Sequence, residues 1–193
     1  MKIRHIAPAA AALTLLFVDA GRASSQTSVS AGNTQARTQA IAATFSKFKQ
    51  LSREKHGIKK EKYLRVQSDP VVKANPEQYS GTYETPEWGF AIHLRVDRSG
   101  RAEGDGYEPY ASDLNVRRAF TLKDARVEAG LLTATKVYAN GNTEKLEGAF
   151  LNRSTFESPT DKGVTRFGLG TLNRPIEISG NTIDKLFYEL RSP

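Results

Sequence analysis

A chain of 193 residues without a cysteine can build no disulfide framework and offers no cysteine for lipid attachment, so core packing alone must hold its fold. Its net charge of +7 is lopsided: ten Lys or Arg between Arg37 and Lys73 face only Glu54, Glu61 and Asp69, while fifteen basic and seventeen acidic residues follow from Ala74 onward. The high isoelectric point is therefore a property of an N-terminal arm and not of the domain behind it.

The first residues read as a secretory signal. Met1 to His5 is a basic start, Ile6 to Val18 is an apolar run, and the small residues around Ala23 and Ser25 suit cleavage there. A signal peptide is expected over residues 1–25, which places the mature protein in a bacterial periplasm or the medium. No other segment reaches the ~18 apolar residues of a membrane helix, so no transmembrane segment is expected after cleavage. Nucleic acid is not an expected partner, because an exported protein rarely meets it.

Residues 26–33 are small and polar and read as a flexible leader. Ile41, Phe45, Phe48 and Leu51 then recur at spacings of four, three and three. That stripe predicts an amphipathic helix from Thr34 to Lys55, ended at His56-Gly57, with lysines on the opposite face. Two uses follow. The stripe can dock on the chain's own domain, or the basic face can lie on an anionic envelope surface such as a membrane or cell-wall polymer. Leader, helix and linker together span residues 26–75.

From Tyr79 the period changes to two, with turn signals every 8 to 12 residues. The predicted strands are 79–84, 89–96, 101–107, 117–122, 131–138, 143–152, 164–172 and 182–190, with 175–178 as a short extra. Antiparallel strands with no helix between them predict an up-and-down β-barrel of about eight strands over residues 76–193. In the last strand both faces are apolar, Ile183 and Phe187 against Leu186, Tyr188 and Leu190, so the Phe45/Phe48/Leu51 stripe is expected to cover its outside.

Turn chemistry assigns the faces. A three-residue loop Arg98-Ser99-Gly100 puts Gly at the left-handed position, sets Glu103 opposite Arg95 and Asp105 opposite His93, and faces these charges outward. Leu94 and Ile92 then meet Gly104 and Gly106 inside. For the hairpin at Asn140-Gly141, a two-residue type I′ turn is expected. It pairs Val137 with Glu144, Thr135 with Leu146, Thr133 with Gly148 and Leu131 with Phe150, and turns Leu131, Val137, Leu146 and Phe150 inward.

The commoner chemistries fit poorly. Asp97–Glu108 has its Gly at the fourth position, where a calcium loop needs it at the sixth. A zinc site lacks ligands: beyond the signal only His56 and His93 remain, so no metal and no cofactor are expected. No nucleophile elbow supports a Ser-His-Asp triad, and Phe167-Gly168-Leu169-Gly170 is no dinucleotide fingerprint. Paired carboxylates of a hydrolase would need two converging acids, and Glu103 and Asp105 face outward. No catalytic residue is assigned.

The aromatics point to binding. In an up-and-down meander Trp88 shares one end of the barrel with Tyr107, Glu108 and Tyr110, a rim able to stack a ligand. Gly104, Gly106, Thr133 and Thr135, with Ala102 and Gly148, form an expected thin inner wall. "YSGTYE", with Gly81-Thr82-Tyr83, resembles the first strand of lipocalin- and avidin-like (calycin-type) barrels, with Tyr in place of Trp. The motif is three residues and implies architecture over about Gln78 to Leu190, with no biotin-site residues to carry across. "GDGYEP", "LLTATKVY" and "FGLGTL" also look like exported bacterial proteins for which the resemblance implies no activity. The leading expectation is a non-enzymatic module holding a small apolar or amphipathic ligand in its barrel. The alternative is a structural or protein-interaction protein of the cell envelope with a filled barrel, and a carboxylate-based hydrolase comes third.

Overall fold

The computed structural model describes residues 20–55, 58–110, 113–178 and 181–191, with backbone only at 20–31, 52–55, 58–61, 113–115, 178 and 181. Residues 1–19 of the expected signal and the expected helix stop at 56–57 lie outside the described residues. A helix, α1 (Ala20–Phe45), is followed by ten strands: β1 (Lys47–Lys55), β2 (Ile58–Pro70), β3 (Gly81–Glu84), β4 (Ala91–Val96), β5 (Arg101–Tyr110), β6 (Asp113–Glu128), β7 (Leu131–Tyr138), β8 (Thr143–Phe156), β9 (Val164–Ile178) and β10 (Asn181–Leu190). Each of β3 to β10 pairs antiparallel with its neighbours in sequence, and β10 returns to β3 through Leu190 opposite Tyr83. The fold is a closed, eight-stranded, up-and-down antiparallel barrel preceded by a helix. Among the described residues no helix is long and apolar enough to cross a membrane.

Period-two alternation builds the wall. The burial of Ile92, Leu94 and Val96 against exposed His93 and Arg95 in β4 repeats around the barrel. Inside, Tyr83, Phe90, Phe150, Leu169 and Tyr188 are fully buried. Tyr79, in a short 3-10 turn (Pro76–Tyr79), closes one end. Its ring stacks on Phe150 at 4.3 Å, and its hydroxyl donates to the Val71 carbonyl at 2.9 Å.

The Arg98-Ser99-Gly100 turn matches its expected register, with His93 opposite Asp105, Leu94 opposite Gly104 and Arg95 opposite Glu103. Gly100 sits at φ +81°, and the Asp97 carboxylate accepts from Ser99 N, Ser99 Oγ and Arg101 N. The second hairpin departs from expectation. Tyr138 N donates to Asn142 O and Gly141 N to Tyr138 O, so the loop is the three residues Ala139-Asn140-Gly141, with Gly141 at φ +82°. The register slips by one: Lys136 opposes Glu144, Ala134 opposes Leu146 and Leu132 opposes Gly148. A one-residue slip exchanges the faces. Leu132, Ala134, Lys136 and Tyr138 point inward, and Leu131, Thr133, Thr135 and Val137 point outward.

Several strands run longer than expected. Pro175–Ile178 is the end of β9, and the missing N–H of Pro175 falls where the β9–β10 register shifts between Ile183 and Lys185.

The arm is only partly helical. Its backbone is already helical from Ala20, through the stretch expected to be a leader and past the expected cleavage positions. The helix ends at Phe45, ten residues earlier than expected, where Ser46 N bonds to Ala43 O at 3.2 Å and tightens the last turn. From Lys47 the chain pairs with β2, and nine cross-strand pairs from Lys47–Val66 to Lys55–Ile58 outweigh the helical spacing of Phe48 and Leu51. Those two side chains are 64 % and 43 % exposed. Of the apolar stripe Ile41 and Phe45 dock, with Ala42, on Leu131, Ala149, Leu151 and Phe187 of the outer wall. Gly170 permits this approach, since a Cβ there would lie 2.8 Å from the Phe45 ring. Burying Ile41 and Phe45 contributes about 1.5–3 kcal/mol each.

β2 is part of the sheet, where a linker was expected. Its Arg65–Pro70 segment pairs with Leu151–Phe156 of β8, on the edge that β7 occupies further down. The β1–β2 hairpin thereby extends the barrel wall and overhangs its outside.

Candidate functional site

Two arrangements of polar side chains stand out, one inside the barrel mouth and one on its outer wall. Alternation along β5 points Gly104, Gly106 and Glu108 inward and Asp105 and Tyr107 outward. Glu108 is 2 % exposed, and Lys136 lies beside it with Nζ 3.0 Å from Oε2. Arg118 of β6 pairs with Oε1, to which the Tyr138 hydroxyl is also bonded at 3.0 Å. The same hydroxyl lies 3.0 Å from Glu144 Oε2, and Arg118 stacks 4.0 Å above the Tyr138 ring.

Burial alone pushes the Glu108 carboxyl up, but Lys136 and Arg118 outweigh it and hold the group below the usual carboxylate range. Burial, then Glu108 and Glu144, push the Tyr138 phenol far up, so it stays protonated and donates. Its one proton serves one carboxylate at a time. The result is an ionised carboxylate with both oxygens occupied, which closes the mouth by charge pairing.

The expected rim is divided by this geometry. Tyr110 joins Glu108 through Arg118, whose guanidinium lies 5.9 Å from the Tyr110 ring. Tyr107 is on the outer face, with Arg117 4.4 Å over its ring and His93 at its edge. Thr133 and Thr135 are also outside, opposite Glu147 and Lys145, a correction that follows from the slipped register. Gly104 and Gly106 are inside, but the room behind them is taken. A Cβ at Gly106 would come 2.5 Å from Phe120 Cζ, and one at Gly104 3.3 Å from Leu122 Cδ1. Gly148 is closed off likewise by Thr171 and Leu169.

Space is found on the outer wall instead. A cleft of about 720 Å³ lies between the hairpin base, the C-terminal end of α1 and β10, and Trp88 lines it from the β3–β4 turn. This falls within the size range of small-molecule sites. Phe45, Phe187 and Ile183 contribute apolar lining, and Arg153, Arg166 and Glu189 contribute charged lining. A smaller cavity of about 500 Å³ adjoins it and shares Arg153 and Phe187.

Arg166 is held by Glu189 at 2.6 and 2.8 Å, and Lys185 donates to Thr44 O at 3.1 Å. Arg153 differs. Its guanidinium lies 5.2 Å over the Phe187 ring and makes no ion pair among the described residues, and its Nε is sealed from solvent without an acceptor. Burial lowers its pKa, with Glu189 and Glu87 opposing and Arg166 adding to the fall. A buried guanidinium N–H with no partner costs about 1–3 kcal/mol or more, which an incoming acceptor could recover in part. Neither Lys136 nor Arg153 figured among the expected site residues.

Among the described residues no group of three or more His, Asp or Glu is placed to hold a metal ion. By its fold the protein belongs to the closed up-and-down β-barrels. No family model, curated protein or solved structure matches the chain.

Proposed function

We propose that this chain is an exported, non-enzymatic binding module whose ligand lies in the cleft on the outer wall of the barrel. One observation carries the reading: the guanidinium of Arg153, its buried Nε without an acceptor, rests on the face of Phe187 in a cleft that Trp88 also lines. A small amphipathic molecule suits that lining. Its acidic head would meet Arg153 and its apolar body would lie along Phe187, Phe45 and Trp88. The basic start and apolar run of residues 1–18 support export, and the likeness of Gly81-Thr82-Tyr83 to lipocalin-type barrels supports a binding role by analogy alone. A general acid needs a raised pKa, whereas Glu108 is held ionised, which favours binding over hydrolysis.

The test is a titration of the full chain with 8-anilinonaphthalene-1-sulfonate, an amphipathic anion, read through Trp88 emission. Saturable quenching that weakens about tenfold in Arg153→Ala is expected, equivalent to about 1.4 kcal/mol. Binding that Arg153→Ala leaves untouched would overturn the reading. The filled interior favours a second one, a structural protein of the cell envelope. In that case Trp88 emission does not respond.

A further inference from the structure

Among the described residues β1 is hydrogen-bonded on one side only. β2 takes that side in unbroken register along all nine residues, and no described strand takes the other. The free edge is about 30 Å long at the usual rise per residue. It contains no Gly and no Pro. Long, regular edges invite strand addition, and proteins guard them with charge or irregularity.

The guarding here has one sign. Lys47, Lys49, Arg53 and Lys55 stand against Glu54, four positive charges and one negative, so +3. A second copy pairing along this edge would set like charges opposite each other, which is destabilising. An acidic strand would find complementary charge along its whole length. Phe48 and Leu51, both exposed, lie an odd number of residues apart and so on opposite faces of the strand. A membrane surface requires its apolar groups on one face. A strand added edge-on makes use of both.

We propose that the free edge of β1 docks an acidic, extended segment of a partner protein, which adds to the hairpin as a further antiparallel strand. Main-chain bonds would supply affinity, and the alternating lysines would select for acidic side chains. Among the described residues of β1 only Lys47 also lines the Arg153 cleft, so either site can fail without the other.

The experiment uses the full chain and a labelled nine-residue peptide in which Glu alternates with Val and Thr, followed by fluorescence polarisation. Two further peptides carry backbone N-methyl groups on one or the other set of alternate residues. Only one set of N–H groups can point at the edge, so one methylated peptide should bind at least about tenfold more weakly while the other binds normally. Replacing Glu by Lys should abolish binding. Lys49→Glu should weaken it several-fold with an unchanged circular dichroism spectrum. Equal binding of both methylated peptides would reduce the contact to charge alone and overturn the proposal. Absence of saturable binding would overturn it too, as would tight binding of phosphatidylglycerol vesicles that the peptide does not compete away.

Discussion

Glu108 and Lys136 meet inside the barrel, Nζ to Oε2 3.0 Å, with neither side chain more than 3 % exposed. One is the last acid of the stretch Asp97–Glu108, and the other is the one charged residue of β7. Their pairing lets two charges lie beneath the barrel mouth, with Arg118 and Tyr138 satisfying what remains.

Removing one partner should therefore cost more than removing both. Lys136→Met leaves the Glu108 carboxylate buried beside a single cation and is expected to lose about 3–5 kcal/mol in urea denaturation. The double variant Glu108→Leu with Lys136→Met should recover much of that loss. Strictly additive losses would show that the two residues are not coupled.

The same pair sets the response to acid. The folded-state pKa of Glu108 lies below its ordinary value of 4.5, so its contribution is complete above that value and is lost as pH falls through the depressed pKa. The stability of the natural chain should fall more steeply below about pH 4.5 than that of Glu108→Gln, which has no proton to take up. Parallel acid limbs in the two proteins would contradict this.

Space behind the inner glycines is the next point of measurement. A methyl group at Gly106 would strike the Ala91 carbonyl and the Phe120 ring. Gly106→Ala is expected to lose about 1–3 kcal/mol through overpacking. Gly141 is a contrast: nothing lies within 4 Å of its missing Cβ, and its φ is +82°. Asn tolerates that conformation, so Gly141→Asn should stay within about 1 kcal/mol of the natural chain. Equal stability of the two variants would mean that the barrel interior yields where it looks filled.

Where α1 stops docking can be read from two phenylalanines. Phe45→Ala should lose about 3 kcal/mol and loosen amide protection in the helix. Phe48→Ser, on an exposed strand position, should change stability by no more than about 0.5 kcal/mol. Comparable losses would return Phe48 to the docking stripe.

The barrel was legible in the sequence wherever alternation and a turn agreed. Arg98-Ser99-Gly100 set its hairpin because only Gly100 could take positive φ there. Ala139-Asn140-Gly141 has the same order, two residues and then Gly, but the Asn-Gly pair drew attention to the shorter turn. That single-residue difference hid Lys136, which the slipped register turns inward, and it misplaced Thr133 and Thr135. The hairpin β1–β2 was hidden for another reason. Phe45, Phe48 and Leu51 satisfy a helical spacing, and only pairing with distant Tyr63, Leu64 and Val66 reveals that the helix has already ended. Arg153 carried no local signal, because its isolation depends on the packing of Phe187 and on Glu189 being taken by Arg166.

Phe150 joins the barrel to its overhang. Its N–H donates to Gly130 O at 2.9 Å, and its carbonyl accepts from Val71 N at 2.8 Å, so one residue faces the β6–β7 turn through its N–H and the run out of β2 through its carbonyl. The sheet forks there. The hairpin base and the outer wall both line the cleft, and they part from each other at this fork. The ring of that same residue is stacked on Tyr79 and Phe167, so the fork is tied to the central aromatic column. A ligand that spreads the hairpin from the wall is therefore expected to loosen the barrel core as well.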